Sequence, residues 1–373
     1  MISHPLSPIQ ELMILHPPDE PALCDAVRAE TRVLPFAGRT KPALSPSEGV
    51  TLLDLRAFSG IVEYEPTEYT FTARAATPLR DVASLLAANG QYLPFDPPLA
   101  SSGATLAGSV AAAMSGPGRL RYGGIRDFLI GIRWVDGSGQ IVRGGGKVVK
   151  NAAGFDFPKL FTGSIGRLGI LTELSFKVFP APEARQSIAI TCSSLPDALE
   201  KIAHLSAQTW EVEAAEIFPG PPIRILARFM GDASALASRI NRIAASFGPA
   251  AQLLSDHEAA SFWNPLNDLI FPGTDALSPL VKVPTTLHRI PDLDAALASI
   301  GAARHYSMAG NLALISSPDA PALDAILSNL SLSGLRLRGP GPVRPGIPNA
   351  FLMEARVSSA LDPLRKFLPL STP

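Results

Sequence analysis

The sequence predicts an α+β fold in three stretches: a domain over residues 1–182 organised by glycine turns, a second over 183–338 in which an antiparallel sheet carries helices on one face, and a return segment over 339–373. Three observations predict it. A chain of 373 residues exceeds one ordinary core and divides readily into two. Small residues crowd the run from Ser101 to Ala113, so few side chains stand between that backbone and whatever packs on it. From about residue 186 strand and helix patterns recur twice in the same order, which fits helices segregated to one face of an antiparallel sheet.

Residues 31–36 read as a short strand that empties into Ala37-Gly38-Arg39-Thr40-Lys41, and such a turn can aim backbone amides at an anion. Between Tyr69 and Ala75 the positions alternate, with Tyr69, Phe71, Ala73 and Ala75 on one face and Thr70, Thr72 and Arg74 on the other, the pattern of a half-buried strand. A helix over 78–89 follows: Thr77 can cap it, Pro78 fits the first helical position, Leu79, Val82, Ala83 and Leu86 share a face, and Gly90 stops it. Asp136-Gly137-Ser138-Gly139 between 130–135 and 140–143 signals a hairpin. The line from Gly163 through Gly166 and Gly169 to Val178 passes from a glycine turn into a strand, and Pro180 and Pro182 close the first domain. Strands are expected at 188–191, 223–229, 280–287 and 312–316, and helices at 196–207, 233–245, 292–300 and 320–330. Prolines and glycines between Gly339 and Pro348 mark the last stretch as a return segment ending near Pro369.

Composition excludes several function classes. The 32 lysines and arginines balance 33 aspartates and glutamates, which leaves no basic footprint for nucleic acid. No segment is apolar long enough to span a bilayer and the first residues lack a basic leader, so a cytoplasmic protein is expected. Cys24 and Cys192 are the only cysteines, too few for a four-thiolate iron–sulfur cluster or a structural zinc site, so any such centre belongs to a partner. Two distant cysteines in this setting are expected to be buried apolar residues, not a disulfide.

Taken alone, the turn 38–41 is an ordinary tight loop as readily as a binding turn, and the stretch Gly103 to Ser109 could be a closely packed buried helix. Together they make a different pattern. Gly103, Ala104, Thr105, Ala107, Gly108 and Ser109 open a helix whose amides and positive dipole end offer a seat for a pyrophosphate. The third turn, at Gly163, Gly166 and Gly169, lets a nucleotide approach main-chain atoms.

This order, with the hairpin and the string Lys150-Asn151-Ala152-Ala153-Gly154-Phe155-Asp156-Phe157-Pro158-Lys159-Leu160-Phe161-Thr162-Gly163-Ser164, resembles the FAD domain of the vanillyl-alcohol oxidase or p-cresol methylhydroxylase (PCMH) type over about residues 5–180. Gly60-Ile61-Val62-Glu63-Tyr64-Glu65-Pro66-Thr67-Glu68, Arg126-Asp127-Phe128-Leu129 and Lys150-Asn151-Ala152-Ala153-Gly154 are similar to the FAD-binding subunits of bacterial glycolate oxidase, within the FAD-linked 2-hydroxyacid oxidase family. The resemblance implies a two-subdomain PCMH-type FAD-binding domain followed by a cap domain. It implies that Gly38, Arg39, Thr40 and Lys41, with Gly103, Ala104, Thr105, Ala107, Gly108 and Ser109, wrap the pyrophosphate and the flavin edge, while Gly163, Gly169, Ile170 and Thr172 approach the adenosine and ribitol side. Some relatives tether the flavin through a histidine or cysteine in these turns; neither residue stands there, so FAD is expected to bind noncovalently.

The resemblance further implies oxidation of glycolate or a related 2-hydroxyacid such as D-lactate, with electrons passed to an iron–sulfur subunit beside a paralogous flavin subunit, and any contact with the inner membrane made through those partners. Two departures matter. The relatives' metal-binding string Gly-Asp-Gly-Asn-Leu-His is matched here only by Met308-Ala309-Gly310-Asn311-Leu312-Ala313; alanine cannot ligate a metal, and His305 and His288 are lone histidines, so no metal site is expected. The tail Asp362-Pro363-Leu364-Arg365-Lys366-Phe367-Leu368-Pro369 lacks the asparagine, glycine and arginine of the relatives' ending, and no catalytic residue is assigned. These departures favour an accessory flavin subunit over a self-sufficient 2-hydroxyacid dehydrogenase. A UDP-N-acetylenolpyruvoylglucosamine reductase shares the FAD domain, but its substrate motif is missing.

Overall fold

The computed structural model describes residues 13–46, 48–146, 155–347 and 351–369. The chain opens with a parallel three-stranded sheet, Ile14–Leu15 and Val33–Phe36 flanking Thr51–Asp54. Helix Glu20–Ala29 makes the crossover, started by the Asp19 carboxylate accepting from the Ala22 amide at 2.9 Å. An antiparallel five-stranded sheet follows, in the order Ile61–Glu65, Thr70–Arg74, Ile170–Lys177, Leu129–Val135 and Ile141–Gly145. The expected hairpin is its edge.

Local differences from expectation have local causes. Tyr69 is not on the inner face; its φ of 53° places it in the turn before the strand, 43% exposed. Phe71 and Ala73 are fully buried, and Phe71 stacks on Phe176 with centroids 5.5 Å apart. The helix runs Leu79–Ala87 with Pro78 as its cap residue; the Thr77 hydroxyl instead donates to Arg74 O at 2.7 Å, so it ties down the preceding loop.

The second half is one eight-stranded antiparallel sheet built from two βαββαβ units. The first contributes Ala251–Leu254, Ala184–Cys192, Ile223–Gly231 and Val212–Phe218, and the second Ala303–Ser307, Leu312–Ser316, Leu280–Pro284 and Leu335–Arg338, in that spatial order. They join where Ile217 faces Tyr306. Helices Leu195–Ala207, Ala233–Ser246, Ile290–Ser299 and Ala320–Asn329 pack on one face, against Ile190, Ile217, Ile225, Val283 and Ile315. The opposite face presents Ala214, Leu226, Leu280 and Leu314 to Phe95 and Phe128 of the first half in a shared core. Period-two alternation thus gives each strand one face for its helices and one for the other half of the molecule.

That second contact is pinned by charge. The Arg228 guanidinium lies between Glu213, 2.6 Å away and fully buried, and Asp96 of the first half, and it stacks over Trp263 at 4.7 Å. The two carboxylates hold Arg228 above its ordinary pKa against the opposing effect of burial. Cys24 and Cys192 are free and buried. The last stretch forms helix Phe351–Leu361 and then closes on the N-terminal layer: Val33 N donates to Lys366 O at 2.8 Å, and Phe367 packs with Leu23 and Leu53.

Replacing Arg228 by Met leaves Asp96 without its cation and the buried Glu213 with Arg185 alone. We expect Arg228→Met to lose roughly 3–5 kcal/mol in urea unfolding at pH 7, with part of the loss recovered in Arg228→Met with Glu213→Leu; a change below about 1 kcal/mol would show that the joint does not depend on this pair.

Candidate functional site

The first two glycine turns meet. Gly38 sits so close to the second stretch that a Cβ there would lie 2.2 Å from Gly103 O, which is why glycine is needed. They enclose a cleft of about 820 Å³ together with the third turn. Gly38, Arg39, Thr40, Lys41, Thr105, Ala107, Gly108 and Gly169 line it, and so do Pro35, Phe36, Ala75, Ala112, Ser164 and Gly166. Arg39 adopts a left-handed φ of 48° and lays its guanidinium over the Phe36 ring at 3.8 Å.

The other expected residues lie behind this wall. Ala104 and Ser109 are fully buried, and Gly103 contributes its carbonyl to the contact with Gly38. Gly163 turns at φ 89° beside Ala113 without reaching the cleft. Ile170 is fully buried in the sheet, and the Thr172 hydroxyl donates to Glu20 at 2.7 Å, on the side away from the cleft. The motif Lys150-Asn151-Ala152-Ala153-Gly154 falls outside the described residues.

The helix of the middle stretch, Leu106–Ala111, is short, and its first amides already have partners: Leu106 N donates to Thr77 O, Ala107 N to Ala75 O, and Gly108 N to the Thr105 hydroxyl. The expected seat at its N-terminus is therefore closed. Among the described residues, the amides of Gly38, Arg39 and Thr40 have no such partner and lie on the cleft wall. Lys41 stands with them, its ammonium bonded to the Thr40 hydroxyl at 3.0 Å and, among the described residues, paired with no carboxylate; burial lowers its pKa to about 8. Free amides, a desolvated cation and glycines at the points of closest approach are the requirements of a dinucleotide phosphate, and the residues present fit one.

A second cavity of about 790 Å³ lies beyond the same helix, between the segment 113–119 and the sheet face. Sequence reading did not anticipate it, because its charged residues come from separate elements. Lys282 rises from strand Leu280–Pro284 and donates to the carbonyls of Ala112 and, at 3.0 Å, Ala113. Burial first, then the nearby Arg119 and Lys41, lower its pKa to about 7. Across the cavity, Glu216 accepts from the Ser307 hydroxyl at 2.9 Å, the Met308 amide at 3.1 Å and His305 Nε2 at 2.6 Å. His305 is 1% exposed and its Nδ1 has no partner.

Fold and cleft define an α+β protein with a glycine-walled cleft fit for a dinucleotide. Residues 16–145 match the family of the FAD binding domain, and FAD is the cofactor. By sequence the chain is related to glycolate oxidase subunits. It is 39% identical over 246 residues to glycolate oxidase subunit GlcE of Escherichia coli, covering 66% of this chain and 64% of that protein. It is 30% identical over 174 residues to glycolate oxidase subunit GlcD of Bacillus subtilis, covering 47% and 35%. It is also 30% identical over 174 residues to a D-lactate dehydrogenase of Anaerostipes hadrus, covering 45% and 36%. The chain thus spans under two thirds of each of these relatives. A solved alkyldihydroxyacetonephosphate synthase shares the fold with a TM-score of 0.71 at 16% identity, covering 96% of this chain and 77% of its own.

The two depressed lysines set a pH dependence. Unfolded, both titrate near 10.5, so the unfolded chain binds more protons than the folded one from about pH 7 upward. Stability of the FAD-free protein is expected to rise between pH 7 and 10, and Lys282→Met to flatten most of that rise. Urea midpoints at pH 6.5 and 9.5 check it; equal midpoints in the parent would show that neither ammonium is desolvated.

Proposed function

We propose that the chain is the FAD-binding subunit of a glycolate oxidase-like complex and takes part in oxidising glycolate or a related 2-hydroxyacid such as D-lactate. Its partners in this reading are a paralogous flavin subunit and an iron–sulfur subunit that accepts the electrons. The cleft carries the proposal: in one space it gathers the free amides of Gly38, Arg39 and Thr40, the unpaired Lys41 and the glycine turns, the first two of which lie in the segment that matches FAD binding domains. The names of the relatives point to the substrate class. The two cysteines, both buried, cannot hold a cluster here, which supports an electron acceptor on another chain. Among the described residues no helix is long and apolar enough to cross a membrane.

In this reading Gly38, Arg39, Thr40 and Lys41 hold the diphosphate through amides and charge, and Thr105, Ala107, Gly108 and Gly169 leave room along its path. Gly103, Ala104, Ser109, Gly163, Ile170 and Thr172 form the supporting layer. Among the described residues neither histidine nor cysteine lines the cleft, which supports noncovalent binding. FAD held there supplies an acceptor for the hydride on the acid's α carbon. The domain limits 1–182, 183–338 and 339–373 belong to the same proposal. The departures at Ala313 and in the tail favour an accessory role, whereas the second cavity favours a chain with an acid site of its own.

The purified chain should be yellow, or become so on addition of FAD. Lys41→Met removes one charge-assisted contact and should weaken FAD binding by roughly tenfold to a hundredfold while leaving the fold intact by circular dichroism. Fluorescence titration of the stripped protein with FAD measures both, and a chain that stays colourless in excess FAD sinks the reading.

A further inference from the structure

We propose that filling the first cleft with a diphosphate takes up protons and charges Lys282, a residue outside that cleft, so that the bound cofactor sets the charge on the wall of the second cavity. The inference rests on the cleft holding FAD and adds to it a coupling between the two cavities.

The coupling follows from where two ammonium groups stand. Lys41 reaches the first turn of the short helix Leu106–Ala111, its Nζ 4.0 Å from the point that a Cβ on Gly108 would occupy. Lys282 comes from the eight-stranded sheet to the other end and donates to the carbonyls of Ala112 and, at 3.0 Å, Ala113. One short helix lies between them, about 9 Å long. Among the described residues lining the cleft there is no aspartate or glutamate, and the cation beside Lys41 is Arg39. Behind its turn packs strand Leu335–Arg338, whose Arg336 and Arg338 donate to Pro342 O and Ser278 O. In the second cavity Lys282 faces Arg119, His305 and Glu216, and that carboxylate is already engaged by Ser307, Met308 and His305. The strands on either side bring Leu314 and Leu335 to its level.

Like charges so placed repel through protein, where screening is weak. Both groups titrate low: Lys41 at about 8 through burial, Lys282 at about 7 through burial first and then Arg119 and Lys41. A diphosphate on the free amides of Gly38, Arg39 and Thr40 brings two negative charges to Lys41 and cancels its repulsion of Lys282. Unit charges roughly 10 Å apart at an effective dielectric constant of about 20 move a titration by about one pH unit. An anion therefore raises both affinities for protons, and by reciprocity the diphosphate binds more tightly as pH falls. Lys282, titrating lower, supplies most of the uptake near neutrality, and Lys41 most of it near pH 9.

The test is isothermal titration of the stripped chain with FAD at pH 7.5 in buffers of different ionisation enthalpy, which counts the protons bound. The parent should take up roughly three quarters of a proton and Lys282→Met roughly a quarter, a threefold loss, while the variant stays folded by circular dichroism and turns yellow. Lys282→Arg, whose charge does not titrate in this range, should show the same low uptake. The slope of log affinity against pH must return the same counts. ADP-ribose, which has the diphosphate and no flavin, should take up as many protons as FAD. Binding without proton uptake, equal uptake in the parent and both Lys282 variants, or an uptake seen with FAD and not with ADP-ribose overturns the coupling and leaves the FAD assignment standing; a chain that does not take FAD fails the assignment itself.

Discussion

Two ammonium groups held away from water, with no acid beside them among the described residues, set the terms for the whole site. Lys41 and Lys282 approach the short helix Leu106–Ala111 from different parts of the chain, and each has its pKa pulled down by burial. Desolvating a cation without a counter-charge works against folding, and the chain as a whole, with formal net charge −1, has acids enough to pair them. It places its carboxylates elsewhere: Glu213 and Asp96 serve Arg228, and Glu216 serves His305. Each ammonium therefore keeps an uncompensated charge at the wall of its cavity.

The small residues around that helix follow from the same constraint. If the amides of the middle stretch met the diphosphate directly, the helix could stand free of its surroundings. Instead Leu106 and Ala107 donate to Thr77 and Ala75, which locks the stretch to the preceding loop and sheet. The amides left without a partner among the described residues are those of Gly38, Arg39 and Thr40, and Gly38 must lack a side chain so that this turn can rest on Gly103 O. Lys282 reaches across from the eight-stranded sheet to the carbonyls at the far end of the same helix. The contact between the two halves of the molecule and the wall between the two cavities are therefore one structure, stiffened nearby by Arg228.

How much of this could be read beforehand depends on whether a residue acts through its neighbours in sequence or in space. The glycine turns could be read, because closely spaced glycine and alanine mark places where the backbone must come near another group, and the outlines of the helices covering the large sheet followed from their apolar period. Four of that sheet's strands could not. Val212–Phe218 carries Glu213 and Glu216 on its inward face, which looks like a polar segment until Arg228 and His305 are found opposite. Position just after the third turn points Ile170 and Thr172 toward the cleft, but their strand has neighbours on both sides and turns Thr172 toward Glu20. The second cavity left no local mark at all, since Arg119, Glu216, Lys282 and His305 share no spacing and meet only when the sheet closes on the first half.

The tail shows why a missing motif is weaker evidence than a placed residue. Its departure from the relatives' ending argued for an incomplete pocket. Yet the Lys366 ammonium donates to Arg28 O and Glu30 O at the end of helix Glu20–Ala29, and Phe367 fills the core beneath it. Among the described residues, none after Leu314 lines either cavity. In this chain the segment 362–368 secures the N-terminal layer, so substitutions there remove nothing from the walls of either cavity. The walls of the second cavity are set instead by Arg119, Glu216, Lys282 and His305, which come from separate elements and lie far from the tail.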